Sequence, residues 1–527
     1  MISPELARHL CEISFDLGRQ VGVLLTREGG VRDVMVGDAS QLVIPEIGRL
    51  RGGPGRFRGL RLMHTHLRGE SLTADDLNDL ALLRLDLVGM IEVTKDGLPG
   101  RVEIAHVLPG SPDENGIGDV DDRSEPFRRI EARSIPDLNL DFGATIRALE
   151  QEFSQIARTS AEAKDSERAL VIGIDPAEDR FEETLELVRS ADVFIAGTIR
   201  QKRHHPHPKT VVGRGKLSEI VLEGMRRQAD VAIFDIDLKP VQARAFEDAT
   251  GLKAIDRTQL ILDIFAQRAR SRDGKLQVEL AQLKYSLPRL TEKDKGLSRL
   301  AGGIGGRGPG ETVLEIGRRR IYDRIRQLER QVNQLSQQRD LRRRRRQKNA
   351  VPVLSIIGYT NAGKTTLLNV LTGSAAEAAD KLFMTLDPTT RRLRFPREGE
   401  VVLTDTVGFL RDLPTDLVSA FRATLEELSE ADLLIHVADA SDPSLETKIQ
   451  AVHRILEEMG LDGLPRLLVL NKIDLLEREA REALPRRYQG VGISAAERLN
   501  LDGMLEAVEE KLSALAGRWE GFSSQTR

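Results

Sequence analysis

The segment that most constrains this chain is a strand-like run, LSIIG, that passes directly into GYTNAGKTT and then into the helical pattern LLNVLTG. It satisfies G-x-x-x-x-G-K-[ST] with Gly358, Gly363, Lys364 and Thr365 in place, and in the strand, loop and helix context that the pattern requires. A helix N-terminus with unpaired backbone N–H groups attracts phosphate, and glycines let the backbone come close to it. Tyr359, Thr360, Asn361 and Ala362 make up the body of the loop. Lys364 is placed to meet the β/γ charge of a nucleotide and the Thr365 hydroxyl to hold Mg²⁺. The reading predicts an α/β domain with a parallel sheet around this loop.

Four further segments bear on the same ligand. VVLTD ends in DTVG, which sets Asp405 behind the magnesium ligands, with Thr406 and Val407 leading to a Gly408 N–H able to sense a γ-phosphate. RLLVL ends in Asn471, Lys472, Ile473 and Asp474, and a carboxylate at Asp474 can accept from guanine N1–H and N2–H, donors that adenine lacks. VGI ends in Ser494, Ala495 and Ala496, whose backbone can contact guanine O6. Between the first and third strands, Phe383, Met384, Thr385, Leu386 and Asp387 offer Thr385 as a second metal ligand that closes over Mg²⁺ and the γ-phosphate. Together these segments point to a guanine nucleotide, with no catalytic side chain identified.

At 527 residues the chain is too long for a single core, so about three domains are expected. Apolar runs LVIGID, DVFIAG, VAIFDID and KAID alternate with amphipathic stretches, which predicts a parallel α/β layer over 167–257. Over 258–349 a long helical pattern is expected to stop at Pro288. A glycine-rich stretch follows, then a helix with Ile321, Ile325, Leu328, Val332 and Leu335 at heptad spacing. These should pack as an antiparallel hairpin. The phosphate-loop domain covers 350–513, a tail 514–527, and residues 1–160 form an α+β accessory domain. Net charge is only -4, but Arg299 to Lys348 holds fifteen Lys/Arg against five Asp/Glu, the place to look for a polyanion.

No run approaches the roughly 18 apolar residues of a membrane span, and the acidic N-terminal segment does not read as a signal peptide. A lone cysteine, Cys11, excludes an intramolecular disulfide framework, which fits a reducing cytoplasm.

On GYTNAGKTTLLN, LFMTLDPTTRR, DTVGFLRDLP and NKID, and on VVGRGKLSEI, DRTQLILDIFAQRARSRDGKLQVELAQLKYSLPRL and GGIGGRGPGETVLE, the chain resembles the HflX group of Obg-like GTPases from about residue 170 to 512. The resemblance implies a monomeric, Mg²⁺-dependent GTPase that binds GTP and GDP. It implies association with the large ribosomal subunit and its rRNA and the splitting of stalled ribosomes. Its location would be cytoplasmic, with peripheral membrane association as a second possibility. A GTP-dependent RNA remodeller acting off the ribosome is the alternative. The residue after DTVG is Phe409 rather than the glutamine that orients water, so hydrolysis by the isolated protein should be slow. Asn361 resembles the asparagine that coordinates K⁺ in GTPases lacking that glutamine.

In the first domain, HTHLRGESLTADD resembles the zinc signature of JAB/MPN-type peptidases, with His64, His66 and Asp76 as ligands and Thr73 as its hydroxyl residue. One residue is missing from the usual spacing, and Glu12 is the candidate for the upstream acid. The shortened spacing is expected to misplace Asp76, so a retained fold with at most weak zinc is expected. Three other motifs are read as bland. Gly303, Gly305 and Gly308 follow a polar segment rather than a strand, VVGRGKL lacks the required first glycine and hydroxyl, and His204, His205 and His207 lie in a proline-rich loop.

Overall fold

The computed structural model describes residues 2–42, 44, 57–109, 126–138, 140–163, 167–174, 177–201, 206–269, 271–293, 313–346, 352–373, 389–394, 400–405, 409, 428–429 and 431–515. The chain divides into two compact units, Met1–Arg257 and Thr258–Arg527.

The first unit opens with α1 (Pro4–Leu17), started by the Ser3 side chain accepting from Leu6 N–H and ended at Gly18 with φ +62°. Six strands follow: β1 (Val21–Thr26), β2 (Val31–Val36), β3 (Leu60–His66), β4 (Leu87–Val93), β5 (Pro99–Val107) and β6 (Phe127–Ala132). They lie in the order β2-β1-β3-β4-β5-β6. Only β3 and β4 run parallel, joined through α2 (Ala74–Leu82). Strand β3 is buried along its whole length, as expected of a central strand covered on both faces.

After α3 (Phe142–Ala163) comes the second layer, with β7 (Arg168–Gly173), β8 (Phe194–Arg200), β9 (Val231–Phe234) and β10 (Lys253–Ile255) in the order β10-β9-β7-β8, all parallel. The crossover helices are α4 (Glu178–Ser190), α5 (Arg214–Arg226) and α6 (Pro240–Thr250). The sequence reads the two layers as separate domains, yet they share a core. Val221, Leu222 and Met225 of α5 pack into the apolar cluster of the first sheet. Across that contact Arg214 pairs with Asp79 at 2.7 Å, and Arg84 donates to the Thr250 carbonyl at 3.0 Å.

In the second unit the long helical pattern is two helices, α7 (Arg257–Arg268) and α8 (Arg272–Lys293). Ser271 restarts the chain, its hydroxyl accepting from Gly274 N–H at 2.9 Å. Pro288 does not end α8 but lies inside it. The lost backbone donor is outweighed by tertiary contacts. Leu276, Leu283 and Leu287 pack with Leu280 against the next helix, and Arg289 donates to Gln259 and Tyr285 at 2.9 and 2.8 Å. That helix, α9 (Val313–Arg346), presents Ile321, Ile325, Leu328 and Val332 to the seam. Glu279–Arg324 and Lys284–Glu329 ion pairs, both 2.8 Å, flank it. The stretch 294–312 lies outside the described residues, and with it Gly303, Gly305 and Gly308.

The last sheet contains β11 (Val353–Gly358), β12 (Thr389–Arg394), β13 (Glu400–Asp405), β14 (Leu433–Asp439), β15 (Arg466–Asn471) and β16 (Val491–Gly492). Their order is β12-β13-β11-β14-β15-β16, and only the edge strand β12 is antiparallel. The surrounding helices are α10 (Lys364–Thr372), α11 (Leu445–Glu458), α12 (Arg478–Tyr488) and α13 (Leu501–Ala514). Leu354, Ile356, Leu403, Ile435 and Val469 from the strands meet Leu367, Leu368, Met504 and Val508 from the helices in one core. The last helix ends at Ala514, and 516–527, most of the stretch read as a tail, lie outside the described residues.

Candidate nucleotide site and a histidine–aspartate cluster

Strand β11 delivers the phosphate loop at its C-terminal end, where parallel α/β sheets place their ligands. Gly358 has φ +151°, and a Cβ there would lie 2.1 Å from the Val437 carbonyl oxygen of β14. Gly363 has φ +88°, and its Cβ would lie 2.2 Å from Asn471 Nδ2. Both positions therefore demand glycine. Between them Asn361 sits at φ +62° with an exposed side chain, a conformation that asparagine tolerates better than most residues. Tyr359, Thr360 and Ala362 are buried. Lys364 is buried as well and donates to the Tyr359 carbonyl at 2.7 Å, so the loop curls around the ammonium. Thr365, the second residue of α10, is half-buried.

Phe409 braces this loop through its backbone. Its N–H donates to Gly358 O at 3.1 Å and its carbonyl accepts from Thr360 N–H at 2.9 Å, while the ring is buried. A phenyl ring has no group with which to orient water. Asp405 is the last residue of β13, level with Ile356 in β11. Phe383, Met384, Thr385, Leu386 and Asp387, and Thr406, Val407 and Gly408, lie outside the described residues.

The base side of the site is tied to the phosphate side by Asn471. Its Nδ2 donates to the Ala362 carbonyl at 2.9 Å, and its Oδ1 accepts from Ala495 N–H at 2.9 Å. Lys472, at φ +63°, pairs with Asp439 at 2.7 Å. Ile473 is half-buried, and its N–H donates to the Ile493 carbonyl. Asp474 Oδ1 is buried without a hydrogen-bond partner among the described residues, an arrangement that a ligand's N–H donors can complete. Ser494 and Ala495 are buried, and Ala496 is exposed beside them.

Sequence reasoning did not single out three neighbours. Asp439 ends β14 just as Asn471 ends β15, so its position at the end of an apolar strand was the available signal. Lys448 lies 4.9 Å above the Tyr359 ring. His436, in the middle of β14, is pushed down to about 3 by burial and then by neighbouring His453, so it stays neutral.

The fold and this loop define a P-loop GTPase. Family models match residues 178–266 (GTP-binding GTPase N-terminal), 268–346 (GTP-binding GTPase Middle Region) and 353–472 (50S ribosome-binding GTPase). The GTPase HflX of Caldanaerobacter subterraneus subsp. tengcongensis is 49% identical over 354 residues, 66% of this chain and 82% of that one. The GTPase HflX of Escherichia coli is 46% identical over 357 residues, 66% of this chain and 83% of that one. A GTP-binding protein from Sulfolobus solfataricus in complex with GDP aligns at 26% identity and TM-score 0.38, covering 66% of this chain and 99% of that one. The chain belongs to the HflX GTPase family and hydrolyses GTP. No helix among the described residues is long and apolar enough to cross a membrane.

In the first unit, His64 and His66 lie two apart on β3 and so point to one face. Their Nε2 atoms are 2.9 Å apart, and His64 Nε2 is 3.1 Å from Asp76 Oδ1. The shortened spacing does not misplace Asp76. Helix α2 starts at that point, and its cap residue Thr73 donates from both N–H and Oγ1 to Asp76 Oδ2 at 2.7 Å, which orients the carboxylate. Burial would raise the Asp76 pKa, but the hydrogen bonds from His64 and Thr73 hold it well below the usual carboxylate range. Burial and then His64 lower that of His66. Glu12 is not part of the cluster, since it pairs with Arg8 at 2.9 Å on half-exposed surface. Of the loop histidines, His207 is held in a turn by Thr210, whose N–H and hydroxyl lie 3.3 and 3.0 Å from its Nδ1; His204 and His205 lie outside the described residues.

Proposed function

We propose that this GTPase associates with the large ribosomal subunit through rRNA and splits or rescues stalled ribosomes, its nucleotide state setting how α8 and α9 are presented. The observation that carries this reading is the outward face of α9. Arg318, Arg319, Arg320, Arg326 and Arg330 are exposed there, while Ile321, Ile325, Leu328 and Val332 turn to the seam. Such a row matches a phosphate backbone, and α9 continues through Arg342 to Arg346. The 50S ribosome-binding description of the model matching 353–472 supports the same reading.

Within the site, Gly358 to Thr365 cradle the phosphates, and Asp474, with the Ser494 to Ala496 backbone, reads guanine. Mg²⁺ would be held by Thr365 and Thr385 with Asp405 behind them, and it would neutralise phosphate charge. Asn361, exposed at the loop's rim with φ +62°, would hold K⁺ beside the phosphates. Phe409 leaves water unoriented, so the isolated protein turns over slowly and a partner or an ion completes the site.

The test is co-sedimentation with separated ribosomal subunits, with a non-hydrolysable GTP analogue and with GDP. Binding should favour the large subunit in the GTP-like state. If about six arginines reach phosphates, log K against log salt should have a slope of roughly -4 to -5. Glutamine at Arg318, Arg319, Arg320, Arg326 and Arg330 should flatten that slope and leave GTP affinity unchanged. Sedimentation with neither subunit at low salt, but binding to free structured RNA, would replace this reading by the off-ribosome remodeller.

A further inference from the structure

We propose that Arg481 is a positioning residue for base selection: it holds the backbone of the turn that carries Asp474, and so fixes the carboxylate where both guanine N–H groups meet it. The inference rests on the reading of Asp474 as the guanine acceptor and deepens it.

The upstream end of the turn is constrained by its own neighbours. Lys472 sits at φ +63°, a backbone region that side chains of its size rarely adopt. Its Nζ pairs with Asp439 Oδ2 at 2.7 Å, and Asp439 Oδ1 is itself held by the Ser441 N–H and hydroxyl at 3.0 and 2.6 Å. A single 3₁₀ turn, Ile473–Leu475, then carries Asp474. Its bonds run from Leu475 N–H to Lys472 O and from Leu476 N–H to Ile473 O, both 3.1 Å. So short a 3₁₀ element is weak by itself, because its hydrogen bonds are few and poorly aligned.

The downstream end depends on Arg481. Among the described residues no backbone N–H reaches the carbonyl of Asp474 or of Leu476. Arg481 supplies both donors, Nη2 to Asp474 O at 2.7 Å and Nε to Leu476 O at 2.9 Å. A planar guanidinium has its N–H groups in a fixed fork, so it sets the two carbonyls relative to one another. The Asp474 carbonyl carbon is bonded to the Cα that bears the carboxylate, so holding that carbonyl also aims the side chain.

The clamp is itself seated. Arg481, Leu484 and Tyr488 recur on one face of α12. Leu484 and Tyr488 pack with Leu445, Ile449 and Leu470, and Arg487 and Tyr488 reach Glu446 of α11 at 3.3 and 3.4 Å. Arg481 lies one turn before these anchors, where it bends onto the carbonyls.

Selection follows from the number of donors on the base. Guanine offers N1–H and N2–H, and meeting both requires the two carboxylate oxygens to be aligned at once. Asp474 Oδ1 is buried with no hydrogen-bond partner among the described residues, so the backbone must supply that alignment. Hypoxanthine keeps N1–H and lacks the 2-amino group. A loosened turn therefore costs GDP more than it costs inosine diphosphate.

The full-length chain is titrated with GDP and with inosine diphosphate. The wild type should prefer GDP by about 10- to 100-fold, the worth of one hydrogen bond to a charged group. Arg481→Ala should cut that preference about 5-fold, the worth of one ordinary hydrogen bond, with most of the loss on GDP. Arg481→Lys, which can serve only one carbonyl at a time, should fall between the two. Arg478→Ala, one turn back on α12 with its side chain 94% exposed, should keep the wild-type preference. Far-UV circular dichroism matching the wild type establishes that each variant is folded, and a general loss of structure would lower both affinities alike. An unchanged preference in folded Arg481→Ala, or equal losses for the two nucleotides, overturns the proposal while leaving the base reading intact. A wild type that binds both nucleotides equally overturns the base reading and this proposal with it.

Discussion

Replacing Asn471 by alanine should uncouple the two halves of the nucleotide site. The side chain is 2% exposed and makes two hydrogen bonds of 2.9 Å, donating to Ala362 O in the phosphate loop and accepting from Ala495 N–H in the base loop. Each bond has a net worth of about 1 kcal/mol, and an orphaned buried group costs about 1–3 kcal/mol. If water reaches both backbone groups, the loss is about 2 kcal/mol, or roughly 30-fold in affinity; if neither is rehydrated it reaches about 6 kcal/mol. Titration with a fluorescent GDP analogue reads this directly. Hydrogen exchange should rise at the Ala495 amide, which loses its acceptor, and around Ala362. Asn471→Asp separates the two bonds, because the carboxylate still accepts from Ala495 but faces the Ala362 carbonyl with no proton to give. It should relax the phosphate loop and spare the base loop. GDP affinity within twofold of wild type in Asn471→Ala, with unchanged exchange at both loops, would refute this reasoning.

Asp474→Asn should exchange guanine for xanthine preference, with a discrimination change on the order of 10⁴-fold, measured by competition between the two nucleoside diphosphates; equal binding of ATP and GTP by the wild type would sink the base assignment. Hydrolysis should run faster in KCl than in NaCl at equal ionic strength, and Asn361→Ala should erase the difference; equal wild-type rates in both salts count against potassium. His436 is held near 3 in the fold and returns to about 6.5 when unfolded, so the unfolded chain alone takes up its proton in that window. Its contribution is therefore constant above about pH 6.5 and destabilising as pH falls toward 3. Thermal unfolding of His436→Gln should show a shallower acid loss than wild type, and parallel curves would contradict this.

The features legible in the sequence are those made by near neighbours. Gly358, Gly363 and Lys364 could be placed because the loop closes on itself within six residues, as the bond from Lys364 to Tyr359 O shows. Strands β7 to β11 announced themselves as apolar runs and the α9 seam by its 4,3 spacing, whereas the charged strands β6 and β12, FRRIEA and TTRRLR, did not. The chain could not announce which distant groups would meet. Asn471 reaches Ala362 across 109 positions, and α5 buries part of its face in a sheet that the sequence assigns to another domain. Pro288 obeyed its neighbours on α9 and α7 rather than its own propensity. The placement of Asp76 was decided the same way. Spacing from His66 measures distance along the chain, but the start of α2 at Thr73 and the burial of β3 between β1 and β4 set its distance in space. Local chemistry chooses the elements, because it involves only a few residues at a time; which side chains converge is settled by packing whole elements against one another, where one added or missing residue can be absorbed by a cap.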